Sequence, residues 1–211
     1  LFTINYYDDY NFDINGGVSE NVGLITPNTA TKSLATGNKV RILGTNNWTT
    51  NVIYYDQKGR PIYNYSKNDF LGLTQKVKIE LDFMGKPIKI TTKHIKGTTV
   101  DIIDTFTYDN QSRLLTQVQK INSQAEEIIV SNKYDELGQL IQKGVGGKLS
   151  VTNRLQTVDY VYNIRGWLKG VNDTDTNNGA ITIASGDLFG FKINYNNPST
   201  GTPLYNGNIS Q

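Results

Sequence analysis

One short sequence occurs five times between residues 55 and 168, and this repetition constrains the fold more than any other feature. Each copy opens with Tyr or Leu, called here the lead residue, and continues with Asp or Asn at position +1 and Gly or Ser at position +4. Successive lead residues are 26, 27, 26 and 28 positions apart. Self-similarity at such a period is typical of repeat proteins, in which each unit packs on its neighbours. The copies occupy residues 55–62, 81–88, 108–115, 134–141 and 162–168.

The spacing inside each copy predicts the tight turn of a β-hairpin. Asp or Asn at the start of a four-residue turn accepts a backbone N–H, and Gly at its end tolerates a positive φ. A left-handed residue there also forms a bulge that lets the two strands keep their right-handed twist. Ser112 replaces Gly in the third copy, so we expect that turn to be the weakest. The predicted turn residues are Asp56, Asp82, Asp109, Asp135 and Asn163 at position +1, and Gly59, Gly85, Gly138 and Gly166 at position +4.

The segments flanking the turns alternate between apolar and polar residues, as half-buried strands do. Before the second turn, Val77 and Ile79 are in phase with the lead residue, whereas Lys76, Lys78 and Glu80 take the other face. The lead residues therefore fall on the apolar face, where we expect them to pack as a ladder: Tyr55, Leu81, Tyr108, Tyr134 and Tyr162. Position +7 is aliphatic in four copies, at Ile62, Ile88, Leu115 and Ile141. Arg60, Lys86 and Arg113 at position +5 are expected to pair with a neighbouring Asp or to stack on an aromatic ring.

These patterns predict an all-β fold made of tandem antiparallel hairpins in one extended, twisted and curved sheet. A lone hairpin is marginally stable in water, so the hairpins must join edge to edge. Residues 51–170 contain the five hairpins, and residues 1–50 are expected to form irregular strands that cap one end, with turn chemistry around 15–17 and 36–38. Residues 171–211 combine a polar loop with an aromatic run, 189–195, that should return to the sheet as a strand.

Composition excludes several classes of function. The net charge is only +2, which gives no basic excess for a nucleic-acid interface and predicts no nucleic-acid partner. No apolar run is long enough to span a membrane. The chain has no Cys and therefore no disulfide or thiolate chemistry. It begins at Leu1 and ends at Gln211, and we expect it to be a piece of a longer protein.

No constellation of residues predicts catalysis, so we expect no enzyme activity and no cofactor. His94 is the only His, and the Gly-x-Ser-x-Gly elbow of serine hydrolases is absent from the sequence. The repeated Asp residues invite comparison with glycosidases, but each is expected to cap its own turn. A weak calcium candidate consists of Asp173, Asp175 and Asn177, although position 12 of that loop is Ala184 instead of the required Glu.

The Tyr-Asp-x-x-Gly-Arg copies resemble the YD-repeat (Rhs-repeat) family, and residues 35–39, 43–48 and 162–168 resemble segments of large Rhs-type proteins of Bacteroidetes-like bacteria. The resemblance implies a secreted or cell-surface bacterial protein whose β-hairpins form a hollow shell. Such a shell encloses or presents a C-terminal toxin or effector. The Rhs core segment with its self-cleavage site and a toxin domain are both missing from these 211 residues, and five repeats cannot close a cage, so we expect an open fragment.

The leading functional hypothesis is therefore a non-enzymatic structural module. Its partners would be the rest of its own longer chain, namely further repeats and the effector. The alternative is a surface adhesive module that binds a glycan or a host protein through exposed aromatic side chains. Candidate platforms for that role are Trp48, Tyr63, Tyr65 and Trp167.

Overall fold

The computed structural model describes residues 1–12, 28–173 and 181–211. In these ranges the protein is all-β, with thirteen strands in an open antiparallel sheet whose strand order is the order of the chain. The described ranges contain no helix that could cross a lipid bilayer. The strands are β1 Thr3–Asp8, β2 Thr31–Arg41, β3 Trp48–Tyr55, β4 Pro61–Asn68, β5 Leu73–Leu81, β6 Pro87–Lys96, β7 Thr98–Tyr108, β8 Leu114–Ile121, β9 Glu127–Tyr134, β10 Leu140–Val145, β11 Gln156–Tyr162, β12 Leu168–Val171 and β13 Phe191–Lys192.

The predicted hairpins are present, and the fold class is confirmed. Each repeated turn joins two consecutive strands: β3 to β4, β5 to β6, β7 to β8, β9 to β10 and β11 to β12. The ladder shifts its register at the lead residue of the first, second, fourth and fifth hairpins, which is the bulge that the turn chemistry predicts. The chain forms two compact units, one of residues 1–106 and 119–125, the other of residues 107–118 and 126–211.

The hydrophobic core of the first unit lies on β3 and β4. Its buried members are Val52, Tyr54, Ile62, Tyr63 and Tyr65, and Tyr10, Phe12 and Leu81 pack against them. The ring centroids of Tyr10 and Tyr54 are 4.7 Å apart, and those of Tyr54 and Tyr63 are 6.0 Å apart. The Tyr10 hydroxyl donates a hydrogen bond to the carbonyl of Ile53 at 3.0 Å. Burial raises the pKa of Tyr10 to about 12, so this hydroxyl keeps its proton.

In β5, the predicted apolar face is not buried more deeply than the charged face. Every residue of β5 is half-buried, Val77 and Lys78 alike. The register with β4 places Tyr63 opposite Lys78 and Tyr65 opposite Lys76, so the buried tyrosines share a face with these lysines and not with Val77 and Ile79. Joining strands edge to edge leaves both faces of a sheet open to water. In the first unit, side chains are deeply buried where Tyr10 and Phe12 pack against β3 and β4.

The interpretation of residues 36–38 as a turn was wrong, because they lie in the middle of β2, an eleven-residue strand. Gly37 pairs with Tyr6 on one side and with Val52 on the other. A Cβ at Gly37 would lie 2.5 Å from the carbonyl oxygen of Asn51 and 2.8 Å from the ring of Phe12. The glycine therefore permits close approach instead of turning the chain. Residues 15–17, the other predicted turn, lie outside the described residues.

The run 189–195 contains the short strand β13, which lies beside β12. Phe191 of β13 pairs with Val171 and Lys192 with Gly170 of β12. The second unit buries Ile128, Val130 and Val171. Asn172 is buried with them and accepts a hydrogen bond from the backbone N–H of Asp159 through its Oδ1, at 2.7 Å.

Two residues at the same position of the repeat should differ in their contribution to stability. Ile62 and Ile88 both stand at position +7, but Ile62 is 1% exposed and Ile88 is 40% exposed. Replacing Ile62 with Ala should lower the free energy of unfolding by about 2–4 kcal/mol, because a buried aliphatic side chain is removed and leaves a cavity. Ile88→Ala is the matched control and should cost less than about 1 kcal/mol. Urea unfolding followed by circular dichroism measures both, and equal losses would contradict the position assigned to the core.

Candidate functional site

All five turns share one set of backbone hydrogen bonds. The N–H at position +1 donates to the carbonyl at position +5, with N···O distances of 2.8–3.0 Å. The N–H at position +4 donates to the carbonyl at position +1, at 2.9–3.1 Å. The residue at position +4 has a positive φ in every copy, including Ser112 at 66°. The predicted left-handed residue is therefore present in the third turn without a glycine, which is a costly conformation for an L-residue with a side chain.

The Asx side chain closes each turn. Its Oδ1 accepts a hydrogen bond from the backbone N–H at position +5 in all five copies, at 2.8–2.9 Å. In three copies the same oxygen also accepts the N–H at position +3, from Lys58, Gln111 and Arg165. Asn163 makes these bonds as the four Asp residues do. The turn therefore needs the Asx oxygen, and it does not need the negative charge.

Where position +5 is basic, its side chain returns to the Asp of its own turn. Nη2 of Arg60 lies 2.6 Å from Oδ2 of Asp56, Nε of Arg113 lies 2.6 Å from Oδ2 of Asp109, and Lys86 pairs with Asp82 at 3.3 Å. Partial desolvation raises the pKa of these carboxyls, but the hydrogen bonds from the backbone and from the basic side chain lower it more. The net result is a pKa below the usual value at all three Asp residues.

The side chain at position +5 also covers the glycine of the following turn. A Cβ at Gly85 would lie 3.0 Å from Nη1 of Arg60, and a Cβ at Gly138 would lie 2.8 Å from Nη1 of Arg113. Gln139 takes the same place over Gly166, at 2.9 Å. Two further contacts join the same pairs of turns. Lys58 Nζ lies 4.4 Å from the centroid of the Phe83 ring, and the Arg113 guanidinium lies 4.5 Å from the centroid of the Tyr134 ring.

The lead tyrosines bond to the preceding hairpin through their hydroxyls. The hydroxyl of Tyr134 donates to the carbonyl of Leu114, and that of Tyr162 donates to the carbonyl of Leu140, both at 3.0 Å. Each acceptor is the residue at position +6 of the preceding copy. The sequence predicted these tyrosines only as packing residues and missed their hydrogen bonds. The sequence did contain a sign of these hydrogen bonds, because Tyr and not Phe occupies the lead position in four of five copies.

The same hydrogen bond, from a tyrosine hydroxyl to a carbonyl of the preceding hairpin, extends the repeat toward both ends of the chain. Tyr7 pairs with Ala35, as lead residues pair with position +6, and the Tyr55 hydroxyl donates to the Ala35 carbonyl at 2.7 Å. At the other end, Tyr195 donates its hydroxyl to the carbonyl of Leu168 at 2.9 Å. Tyr195 thus occupies the lead position of a sixth hairpin, 33 residues after Tyr162.

The turn of this sixth hairpin is enlarged. Backbone hydrogen bonds between Asn194 and both Ser210 and Gln211 close it, so it spans 195–209 instead of the usual few residues. Gly207 has a φ of 90° and lies under the ring of Trp167, where a Cβ would be 2.9 Å from the ring. Trp167 stands at position +5 of the fifth copy. The contact between position +5 and the next glycine therefore persists, although the sequence around residue 195 no longer matches the octet.

A cleft of about 230 Å³ lies between the fifth turn and this enlarged turn. Trp167 and Tyr195 form its aromatic wall, with ring centroids 5.3 Å apart and ring planes at 48°. The cleft is lined by Asn163, Ile164, Arg165, Trp167, Tyr195, Asn196, Leu204 and Tyr205.

Of the four aromatic residues predicted as binding platforms, two are placed in the core. Tyr63 is 1% exposed and Tyr65 is 8% exposed, so the prediction of a platform there was wrong. The alternation of aromatic and polar residues in β4 did not show that Tyr10 and Phe12, some fifty residues earlier, lie against β3 and β4. Trp48 is half-buried at the start of β3, and Trp167 is half-buried at the cleft.

The remaining candidates are not brought together into a reactive site. Asp173 is 4% exposed at its side chain and pairs with Lys192 at 3.0 Å. The other two calcium candidates, Asp175 and Asn177, lie outside the described residues. Within the described ranges, His, Asp and Glu side chains form no group of three that could hold a metal ion. His94 lies on β6, opposite Gln75 and Val100.

Comparison with known proteins gives a structural likeness but no match in sequence. No family model matches the sequence, and no curated protein matches it. A solved structure that resembles the fold is titled "Crystal Structure of TcdB2-TccC3-Cdc42", with a TM-score of 0.33 and 12% sequence identity. The match covers 65% of this chain and 8% of that one, so the present chain spans only a small part of its length.

The contact over the turn glycines predicts a difference between otherwise equivalent substitutions. Gly59 and Gly85 both have a positive φ, 73° and 95°, but only Gly85 lies under the Arg side chain of a preceding repeat. Gly59→Ala should cost about 1–2 kcal/mol from backbone strain alone. Gly85→Ala should cost more, because the added methyl also displaces Arg60 from Asp56. Thermal unfolding of the two variants measures the difference, and an equal loss would show that the inter-turn contact contributes nothing.

The lowered pKa of Asp56 predicts a loss of stability in acid. A carboxyl with a lower pKa in the folded than in the unfolded chain stabilises the fold above its unfolded pKa, about 3.9, and this contribution is lost as the pH falls through the folded pKa. Asp56→Asn, which copies the natural Asn163 turn, should show a smaller difference in urea midpoint between pH 7 and pH 3 than the unchanged protein. Glu136→Gln, at the exposed position +2 of the fourth turn, is the control. The same pH dependence in all three proteins would refute the prediction.

Proposed function

We propose that this chain is a non-enzymatic structural module, a segment of a YD-repeat type β-shell that encloses or presents another polypeptide. One observation carries the proposal: within each unit, contacts that recur with the repeat attach hairpins to the preceding ones. These contacts are a lead tyrosine hydroxyl bonded to position +6 and a side chain at position +5 over the next glycine. Such contacts let hairpins be added without a second layer to cover the sheet.

The chemistry of the described residues fits a mechanical role. The charged side chains that recur with the repeat, such as the Asp56–Arg60 and Asp109–Arg113 pairs, are held in the turns that they close. The pKa values of their carboxyls are lowered, so these groups stay ionised. An ionised carboxylate suits a turn cap and does not suit a general acid. The sheet edges would join further repeats of the longer chain, and the enclosed or presented polypeptide would be a toxin or effector.

The alternative, a glycan- or protein-binding adhesive module, loses part of its basis because Tyr63 and Tyr65 belong to the core. Trp167 retains a place beside a cleft. The family resemblance also implies a secreted or cell-surface location, which is part of the proposal and is tested by fractionating the cells that make the protein.

Protection from protease tests the shell. The protein is produced together with any polypeptide that its gene encodes beyond residues 1–211, and proteinase K is added at increasing urea concentrations. The enclosed polypeptide should resist cleavage until the repeats unfold, and it should be cleaved at lower urea when Gly85 and Gly138 are both replaced by Val. Leu137→Ala, at an 86% exposed position in the fourth turn, is the control and should change nothing.

One outcome of this experiment would contradict the proposed shell. If the flanking polypeptide is cleaved at the same rate with the repeats attached and when it is produced alone, the repeats do not enclose it.

A further inference from the structure

Trp167 is held in place on two sides beside the cleft. Position +5 carries Arg, Lys or Gln in the four preceding copies, and only the fifth copy carries Trp. The six-membered ring of the indole lies against Gly207, where a Cβ would be 2.9 Å away, and the side chain also contacts the ring of Tyr195, with centroids 5.3 Å apart. The Tyr195 hydroxyl is fixed in turn on the Leu168 carbonyl. The aromatic wall is therefore preorganised, which lowers the entropic cost of binding a ligand to it.

Polar groups at the rim of the cleft are free to contact a ligand. Asn163 uses its Oδ1 to close the fifth turn, where it accepts the N–H groups of Arg165 and Trp167. This fixes the side chain while its Nδ2 makes none of the hydrogen bonds found among the described residues. Asn196 is exposed on the opposite side of the cleft, and Tyr205 is 73% exposed. The cleft thus offers two carboxamides and a phenol beside aromatic rings.

The charge of the cleft has one sign. Among the described residues that line it, Arg165 is the charged one and none is acidic. The guanidinium lies 5.2 Å from the centroid of a Trp167 ring and forms no ion pair with the described residues. A guanidinium stacked in this way keeps its N–H edge available, and that edge binds carboxylates in a bidentate manner.

We propose that the cleft between the fifth turn and the enlarged sixth turn binds an acidic saccharide, an oligosaccharide that carries carboxylate groups. The C–H face of a sugar ring packs on an aromatic side chain, the carboxamides bond its hydroxyls, and Arg165 selects the carboxylate. The cleft is smaller than the roughly 300–1,000 Å³ of sites that enclose drug-sized ligands, so it accommodates one sugar unit of a longer chain. This inference does not depend on the shell, since it uses residues of the second unit alone.

The two tryptophans of the chain allow a direct test. Trp48→Phe leaves Trp167 as the only tryptophan, so its fluorescence reports on the cleft. Titration with tetragalacturonate should give a saturable change in fluorescence, and neutral cellotetraose should bind more weakly. Tyr205→Ala should weaken binding of tetragalacturonate by about tenfold through loss of an aromatic face. Arg165→Gln should weaken it by about fivefold, as expected for an exposed charge pair, and should remove the preference over cellotetraose.

Tyr7→Ala is the matched control, because Tyr7 is 56% exposed and belongs to the first unit. Circular dichroism verifies that every variant is folded, and saturation-transfer NMR on the unchanged protein repeats the titration without the Trp48 substitution. Absence of saturable binding in both measurements would overturn the proposal. Binding of tetragalacturonate by the Tyr205 and Arg165 variants that is as tight as without these substitutions would also overturn it. Binding of hexaglutamate without either saccharide would also overturn it and would assign the cleft to an acidic peptide.

Discussion

The bond between the Asx oxygen and the backbone N–H at position +5 is the interaction on which the repeat depends. It is made at 2.8–2.9 Å in all five turns, whether the residue is Asp or Asn. By holding position +5 at a fixed place, it also directs the side chain of that residue toward the next turn. A local hydrogen bond within five residues thus sets a contact between hairpins, and this is how a short sequence repeat becomes a repeated tertiary contact.

The second link between hairpins comes from the lead tyrosines. A phenol can pack its ring and still reach a backbone acceptor, so Tyr134 and Tyr162 both cover their neighbours and bond to them. This combination suits strands such as β8, whose residues are half-buried on both faces. Directional bonds between hairpins and ion pairs within the turns supplement the hydrophobic effect there, since less apolar surface is removed from water than in a two-layered domain.

The ends of the repeat array depart from the pattern in a related way. Tyr7 keeps the backbone pairing of a lead residue and Tyr195 keeps the hydroxyl bond to the preceding copy, but the chain between the two bonded segments is longer at both ends than in the five central copies. A longer loop between the bonded segments costs little stability, because the entropic cost of closing a loop rises slowly with its length. Beside Trp167, residues of the longer loop form one side of the cleft.

The amino-acid sequence determined the hairpins, their order and the chemistry of their turns, because Asp, Gly and the alternation of strands act over fewer than ten residues. Asp56, Gly138 and Asn163 could be assigned their places from spacing alone. Burial could not be assigned in this way. Tyr63 was a candidate binding platform of the alternative hypothesis and lies in the core, Gly37 was expected in a turn and lies in a strand, and Tyr195 was not recognised as a lead residue. Only the tertiary structure decided these three, because each depends on a partner contributed by a distant segment: Tyr54 with Tyr10 for the first, Phe12 for the second and Leu168 for the third.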